Sequence, residues 1–286
     1  MSVVVLCIGA AKAGTDWLYR QLRHHPDCKF RAIKELHYFN ALDQGTLDRE
    51  LKKHSDFHAA MLSRLAKKGG APDFEKAQRI ADRADWMDVL ERGQEDIPAY
   101  LDYLRKNSGS ARVVGEMTPA YALLGEERLR QMAVMAPDVR CLFLLRDPVD
   151  RLWSHIRMIA ARRDDEGRVT ERRCATILRR TLAGEEDQIA ARSDYAGTLN
   201  RLAAAVPGGR LLVEVFEDMV RGDGLARICA FLGIAPVAGD RAPVHAGQPL
   251  AMTAMQRGQA QAWLRPQYDA AEAALGRLPD AWRREG

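Results

Sequence analysis

A glycine-containing loop between two regular elements is the first feature of this sequence that could do chemistry. Residues 9–16 are Gly-Ala-Ala-Lys-Ala-Gly-Thr-Asp and lie between an apolar run and a predicted helix. Small residues let a backbone curl so that its N–H groups point at one anion, and a helix N-terminus adds partial positive charge. Lys12 supplies a full positive charge. The loop therefore predicts a phosphate or sulfate site, in preference to a strand–turn–helix corner that binds nothing.

This loop differs from the ATP-binding phosphate loop in the place of its lysine. The motif G-x-x-x-x-G-K-[ST] has its lysine directly after the second glycine, whereas Lys12 precedes Gly14. A lysine inside the loop reaches a shorter phosphate chain than a lysine that follows it. Position 16 is Asp instead of a Ser or Thr that would bind Mg²⁺, and the apolar run at 141–145 ends in Arg146 instead of Asp. Because of these differences, an ATP-dependent kinase is the second interpretation of this loop and not the first.

Apolar runs on both sides of this loop predict the elements that position it. Residues 3–8, 140–145 and 211–216 are mainly apolar runs, as expected for strands buried on both faces of a parallel sheet. A shorter strand is predicted at 113–114. Helical patterns follow the three long runs, and this alternation predicts the α/β class, with a central parallel sheet and helices on both faces.

The chain organisation predicts one domain over residues 1–286. The stretch at about 43–100 is charged and helical in pattern, and we expect it to be an insertion between the first and second strands that caps the sheet. The segment at about 234–286 contains five prolines and mixes loop with helix. We expect this C-terminal segment to cover the acceptor and the cofactor.

Composition narrows the classes of protein that this chain can represent. Hydrophobic residues make up 47% and charged residues 29%, which excludes disorder as the default and leaves enough apolar material for a core. The net charge of +4 is spread over 43 basic and 39 acidic residues, without the basic stripe of a nucleic-acid-binding protein. The densest basic stretch, around Arg162 and Arg163, alternates with acidic residues and predicts a solvated helix face.

The cysteines and the apolar stretches bear on the cellular compartment. Five widely spaced cysteines without a Cys-x-x-Cys pair favour neither a disulfide framework nor a zinc site. No apolar stretch is long enough for a transmembrane helix, and the first ten residues make a poor signal peptide. We therefore expect a cytoplasmic protein, while its oligomeric state is not predicted.

Three segments together resemble the family of sulfotransferases that depend on 3′-phosphoadenosine 5′-phosphosulfate (PAPS), particularly its heparan-type and bacterial members. They are the loop at 9–15, the segment Lys-Glu-Leu-His-Tyr-Phe at 34–39, and Leu-Leu-Arg-Asp-Pro-Val-Asp-Arg-Leu-Trp-Ser-His at 144–155. Weaker similarities lie at 115–121 and 216–233. The resemblance implies the three-layer fold of the P-loop-containing nucleotide hydrolases and the transfer of a sulfuryl group from PAPS.

The resemblance also implies which residues hold the cofactor. The 5′-phosphosulfate would be held by Lys12 and the backbone of Ala13, Gly14, Thr15 and Asp16. The carboxylate of Asp16 stands where the family usually has Thr, Ser or a basic residue, so it must point away from the anion.

Two further positions would hold the other end of the cofactor. Arg146 and Ser154 would bind the 3′-phosphate, for which the guanidinium offers a fork of donors. A late cofactor loop of the family corresponds at best to His245-Ala246-Gly247.

The catalytic residues implied by the resemblance are Glu35, Lys12 and His37. Glu35 would be the general base, a role that a carboxylate performs well if its surroundings raise its pKa. Lys12 would neutralise the charge that builds on the leaving bisphosphate. His37 would contact the acceptor or the sulfonate, or else pack between Tyr38 and Phe39. The reaction would be an in-line displacement without a metal.

The acceptor is the least determined part of the sequence-based prediction. A small molecule or a glycan with a hydroxyl or amine would serve, and the resemblance favours a carbohydrate hydroxyl. Met117 stands where several relatives have an acceptor-binding lysine. Aromatic residues that could stack on a sugar are Trp86, Tyr100, Tyr103 and Tyr121, although core packing is their commoner use. A nucleotide-binding module without catalysis remains a second alternative.

Overall fold

A computed structural model describes residues 2–68, 71–240 and 248–283 of the chain. Five parallel strands form the central sheet in the order β2-β3-β1-β4-β5. The strands are β1 (Val3–Gly9), β2 (Cys28–Phe30), β3 (Val113–Met117), β4 (Val139–Leu145) and β5 (Leu211–Val215). β1 is buried from its second residue to its last, as a strand between two helical layers must be. The predicted α/β fold with a central parallel sheet is therefore confirmed.

Helices surround this sheet and fill the connections between its strands. They are α1 (Thr15–Arg23), α2 (Tyr38–Asp43), α3 (Leu47–Lys68), α4 (Phe74–Leu90), α5 (Ile97–Arg105), α6 (Glu126–Val134), α7 (Pro148–Arg162), α8 (Glu171–Leu182), α9 (Asp187–Ser193), α10 (Tyr195–Ala205), α11 (Phe216–Arg221), α12 (Gly224–Leu232) and α13 (Ala254–Leu275). Short 3₁₀ helices lie at Pro119–Leu123 and Asp280–Trp282.

Two strand predictions need correction. The short strand β2 was not predicted, because its three residues include Lys29 and show no apolar run. The helical stretch predicted at about 43–100 therefore lies between β2 and β3, and corresponds to α3, α4 and α5. β3 extends to Met117, beyond the predicted 113–114, and includes the buried Glu116. A carboxylate inside a buried strand requires partners that only the tertiary structure supplies.

The order of the strands brings several loops to one edge of the sheet. All strands are parallel, so the loops after β1, β3, β4 and β5 leave from the same carboxyl edge. Ligands of open α/β sheets bind at this edge, where neighbouring connections diverge. α7 leaves this edge from β4 and packs on α8 and α13, and these helices share a second apolar core.

Candidate active site

The loop between β1 and α1 has the backbone of an anion cradle. Lys12 (φ 71°) and Gly14 (φ 88°) both adopt left-handed backbone conformations. A Cβ atom at Gly14 would lie 2.3 Å from Cδ2 of Phe216, so only glycine fits between this loop and α11. Gly14 caps α1 without a side-chain hydrogen bond, which leaves the first amides of the helix without a side-chain partner. Such a helix start favours an anionic ligand.

A cluster of positive charges surrounds this cradle. Arg146 follows β4, and its Nη1 donates to the carbonyl oxygen of Lys12 (3.3 Å). Its guanidinium carbon lies 5.1 Å from the centroid of the Phe216 ring, while its Nε is buried without a partner. Burial lowers the pKa of Lys12; Asp16 opposes this effect, whereas Arg146, Arg157 and Arg162 add to it. An anion bound here would relieve the repulsion between these cations.

The cluster continues inward along α7. His155 is buried, and burial together with the charges of Arg151 and Arg192 lowers its pKa to about 3. Arg151 is wholly buried, donates to Ser193 and leaves its Nη1 without a partner.

We define the cation cluster by its members and use the name below. The members are Lys12, Arg146, Arg151, Arg157, Arg162 and Arg192, with the imidazole of His155 among them, which its lowered pKa keeps uncharged at neutral pH. Among the residues that the structure describes, none of them forms an ion pair with a carboxylate. Positive charges that lie close together without carboxylate partners repel one another, so a cluster of this kind favours a polyanionic ligand.

Ser154, the predicted second 3′-phosphate ligand, lies on α7 and is half-buried. It is three residues from both Arg151 and Arg157, so it lies between them on the helix surface. The predicted Gly247 lies outside the described residues.

Lys34 forms hydrogen bonds both with the start of α1 and with Glu35, and so holds Glu35 beside the cradle. The ammonium of Lys34 donates to Thr15 Oγ1 (3.0 Å), Asp16 Oδ1 (2.9 Å) and Glu35 Oε1 (3.0 Å). The carboxylate of Asp16 is half-exposed, and this ion pair holds it at the outer side of the loop. His37 Nε2 lies 3.3 Å from Glu35 Oε2, so His37 contacts the predicted base.

Two neighbouring side chains control the pKa of Glu35. Burial alone would raise the pKa of Glu35, but the hydrogen bond of His37 and the charge and hydrogen bond of Lys34 lower it to about 2. The condition that favours a general base, a raised pKa, is therefore not met by Glu35 in this structure. These two neighbours instead hold Glu35 as a carboxylate, and a weakly basic one.

A buried carboxylate that sequence reasoning missed anchors the segment that carries Glu35. Glu116 Oε2 accepts from the backbone N–H of Leu36 (3.0 Å), and Oε1 accepts from the hydroxyls of Tyr100 and Tyr121 (2.7 Å each). The hydroxyl of Thr118 also donates to Glu116. Burial raises the pKa of Glu116, although these hydrogen bonds act against the rise. Glu116 therefore fixes the position of Glu35 from inside the sheet.

Replacing Glu116 by Gln is expected to loosen this segment and leave the cradle intact. The amide keeps the shape of the side chain but turns one acceptor oxygen into a donor, so buried donors lose their partner at about 1–3 kcal/mol of unfolding free energy. We expect lower turnover together with unchanged affinity for adenosine 3′,5′-bisphosphate, measured by denaturation and by calorimetric titration. A variant that keeps full turnover, or one that loses the bisphosphate first, would contradict this role.

Several residues proposed for the acceptor are part of the core. Met117, next to the buried Glu116, is fully buried at the end of β3. The four candidate stacking residues are also buried and pack mostly on one another and on Tyr38 and Phe39: Trp86, Tyr100, Tyr103 and Tyr121. Stacking of a sugar on these rings is therefore excluded without rearrangement of the core.

The outer members of the cation cluster were also missed. Arg162 and Arg163 are both exposed, as predicted for a solvated helix face, and Arg163 pairs with Glu186. Arg162 itself pairs with no carboxylate of the described residues and acts on Lys12 and His155. The signal in the sequence was its spacing, because His155 and Arg162 are seven residues apart and so share one face of α7.

A parallel α/β sheet with a glycine-containing loop between its central strand and the following helix is an arrangement in which α/β proteins bind phosphate groups. The model of the sulfotransferase family matches residues 5–238, so the chain belongs to the sulfotransferase family and is an enzyme of sulfuryl transfer. No curated relative matches the chain. Within the described residues, no helix is long and apolar enough to cross a membrane.

Three solved structures share this fold. A sulfotransferase from Alicyclobacillus acidocaldarius matches with a TM-score of 0.63 at 24% identity, over 99% of this chain and 100% of that chain. The sulfotransferase domain of the Synechococcus PCC 7002 olefin synthase matches with a TM-score of 0.54 at 17% identity, over 97% and 96% of the two chains. The sulfotransferase domain of the curacin biosynthetic pathway matches with a TM-score of 0.51 at 16% identity, over 93% and 98%.

Proposed function

We propose that this enzyme transfers the sulfuryl group of PAPS to a hydroxyl or amine acceptor. The observation that carries the proposal is the cation cluster at the phosphate cradle, which pairs with no carboxylate of the described residues. PAPS is a polyanion with phosphate at two ends, and a cluster that extends from Lys12 to the inner side of α7 matches a ligand of that kind. The buried, unpartnered Nε atoms of Arg146 and Arg157 support this fit.

In this proposal each part of the cluster has its own task. The α1 amides and Lys12 bind the 5′-phosphosulfate, while Arg146 and Ser154 bind the 3′-phosphate. PAPS supplies, when bound, an activated sulfuryl group whose leaving group is adenosine 3′,5′-bisphosphate. Lys12 then stabilises the negative charge that builds at the leaving oxygen, and the fixed position of Glu35 orients the acceptor for in-line attack. No metal is required by these roles.

Glu35 is the proposed general base. In the free protein its pKa of about 2 makes it a poor proton acceptor. Negative charge brought by the cofactor raises the pKa of a nearby carboxylate, because like charges disfavour ionisation. Binding of the cofactor would therefore make Glu35 more basic when the acceptor is in place. His37 orients the carboxylate through its 3.3 Å contact.

A thermal-shift titration with adenosine 3′,5′-bisphosphate, AMP and ATP, each with and without Mg²⁺, tests the cofactor. A ligand at 100 times its Kd adds about 2.7 kcal/mol of stability, which for a chain of this size raises Tm by roughly 5–10 °C. We expect this shift for the bisphosphate, independent of Mg²⁺. A shift for ATP with Mg²⁺ alone would establish the kinase instead, and no shift for any nucleotide would refute the proposal.

The Arg146→Ala variant tests whether Arg146 binds the 3′-phosphate. Loss of a charge-assisted contact costs about 1.5–3 kcal/mol, so affinity for the bisphosphate should fall by roughly 10–100-fold. Affinity for AMP, which lacks the 3′-phosphate, should change much less. Arg130→Ala is the matched control, because Arg130 lies on α6 and pairs only with Glu126 and Glu127. Equal losses for both nucleotides would contradict this assignment of Arg146.

A further inference from the structure

Two adjoining cavities lie between α1 and the hairpin of α3 and α4, and together we call them the hairpin cleft. The larger has a volume of about 740 Å³ and the smaller about 570 Å³. Tyr19, Arg23 and Arg79 line both cavities, so they form one continuous surface. Lys34 lines the smaller cavity, and its ammonium donates to Glu35. The hairpin cleft therefore reaches Lys34, which contacts the proposed base, and extends between α1, α3 and α4.

One wall of the hairpin cleft is apolar and exposed. Met61, Leu65 and Ile80 line the larger cavity next to Phe57, whose surface is 52% exposed. Phe74, at the start of α4, lines the smaller cavity and is 83% exposed. These two are the only phenylalanines among the large exposed hydrophobic residues of the described chain. Apolar surface grouped in this way marks a binding site for an apolar ligand.

The hairpin cleft also carries positively charged side chains, of which two pair with carboxylates of the described residues and three do not. Lys76 and Arg79 pair with neighbouring carboxylates on α4 or its cap. Arg23, Arg64 and Arg83 form no ion pair with any carboxylate of the described residues. These three guanidiniums therefore remain available to an acidic group on the ligand.

Arg83 is the most constrained of these cations. Its guanidinium lies 4.1 Å from the centroid of the Phe57 ring and 2.6 Å from Nδ1 of His54. Burial lowers the pKa of Arg83, and its Nε is buried without a partner. A cation held against an aromatic wall suits a ligand that joins an acidic group to an apolar chain.

We propose that the acceptor is a hydroxylated amphipathic acid, bound in the hairpin cleft with its acidic group at Arg64 and Arg83. This proposal rests on the sulfuryl transfer from PAPS proposed above. The apolar chain lies along Phe57, and the hydroxyl reaches Lys34 and Glu35. The hydroxyl oxygen forms the new O–S bond, the S–O bond to the bisphosphate breaks with its electron pair on the bisphosphate, and the hydroxyl proton passes to Glu35. A neutral sugar would leave both the apolar wall and the free guanidiniums without partners.

The test compares chains of equal length that differ in their head group. 12-Hydroxydodecanoate, 12-hydroxydodecyl phosphate and uncharged 1,12-dodecanediol are titrated calorimetrically into the full chain with adenosine 3′,5′-bisphosphate present, below the concentration at which they form micelles. We expect each acid to bind at least about tenfold more tightly than the diol. Comparison of the carboxylate with the phosphate identifies the acid. Equal affinity of the diol and both acids would overturn the proposal.

Substitutions in the hairpin cleft test whether the probes bind there. Arg64→Gln, on the exposed side of α3, should weaken the acids by about tenfold and leave the diol unchanged; Arg83→Gln should do the same. Ile80→Trp fills the apolar part of the cavity and should weaken all three probes. Arg49→Gln is the control, since Arg49 is exposed on the same helix and does not line the cleft. Acids that bind equally to Arg64→Gln and to the wild type would locate the site elsewhere.

The two proposals fail in distinguishable ways. If the bisphosphate does not bind, the assignment of PAPS fails whatever the acids do. If it binds and the acids do not, only the acceptor class is wrong. Transfer of ³⁵S from labelled PAPS to 12-hydroxydodecanoate, lost in Arg64→Gln at low acceptor concentration and recovered at high concentration, is the second readout expected.

Discussion

The Glu35→Gln enzyme is expected to turn over about 10²–10⁴ times more slowly than the wild type, because the amide cannot accept the acceptor proton. Affinity for adenosine 3′,5′-bisphosphate should be kept or rise, since Glu35 contacts Lys34 and His37 beside the cradle and its lost negative charge no longer opposes the anion. Single-turnover transfer from ³⁵S-labelled PAPS separates this chemical step from binding. Turnover at the wild-type rate would show that another group is the base.

His37→Asn is the matched variant for this experiment. Removing the histidine hydrogen bond raises the pKa of Glu35 and loosens its orientation, and one hydrogen bond corresponds to about tenfold in rate. We therefore expect a loss near tenfold. A loss as large as that of Glu35→Gln would identify His37 as the base and Glu35 as the residue that orients it.

The stability of Glu35→Gln provides a control that depends on pH. The folded protein lowers the pKa of Glu35 from its ordinary 4.5 to about 2, so the ionised side chain stabilises the folded state above pH 4.5. This contribution is lost as the pH falls through that interval towards 2. Because the side chain is 40% exposed, we expect Glu35→Gln to cost at most about 1 kcal/mol at pH 7. If Glu35→Gln lost more stability than this, its slower turnover could come from unfolded enzyme. Glu35→Asp would then replace Glu35→Gln as the test variant.

The second large effect is expected at Lys12. Removing its charge should lower kcat by about 10²–10³-fold, because the charge at the leaving oxygen loses its nearest cation. Affinity for the bisphosphate and for AMP should fall together, since both carry the 5′-phosphate. This joint loss differs from the selective loss expected at Arg146, and calorimetric titration of both nucleotides measures the difference.

Two substitutions separate the charge of Lys12 from its backbone conformation. Lys12 has a φ of 71°, where alanine is strained and asparagine is tolerated. Lys12→Ala and Lys12→Asn should therefore lose turnover equally, while Lys12→Ala is the less stable of the two. Full turnover in Lys12→Asn would show that the lysine charge has no part in the reaction.

The sequence by itself determined four of the five strands of the parallel sheet, the loop after the first strand, and the family. Buried apolar runs followed by Gly14 or Arg146 are local patterns, because a strand, a turn and a helix start are each specified by neighbouring residues. For the same reason the sequence predicted that the loop at 9–15 joins a strand to a helix, as it does between β1 and α1. The short β2 lacked such a pattern and was missed.

Only the tertiary structure decided how the site is completed. Glu116 binds the Glu35 segment across 80 residues of chain, and Arg162 acts on Lys12 from the far end of α7. The tyrosines near this site became core, because their rings pack together and two of their hydroxyls satisfy Glu116. Packing between segments far apart in the chain sets the burial of Glu35, the cation cluster and the hairpin cleft. These properties depend on packing between elements, which no local pattern of residues encodes.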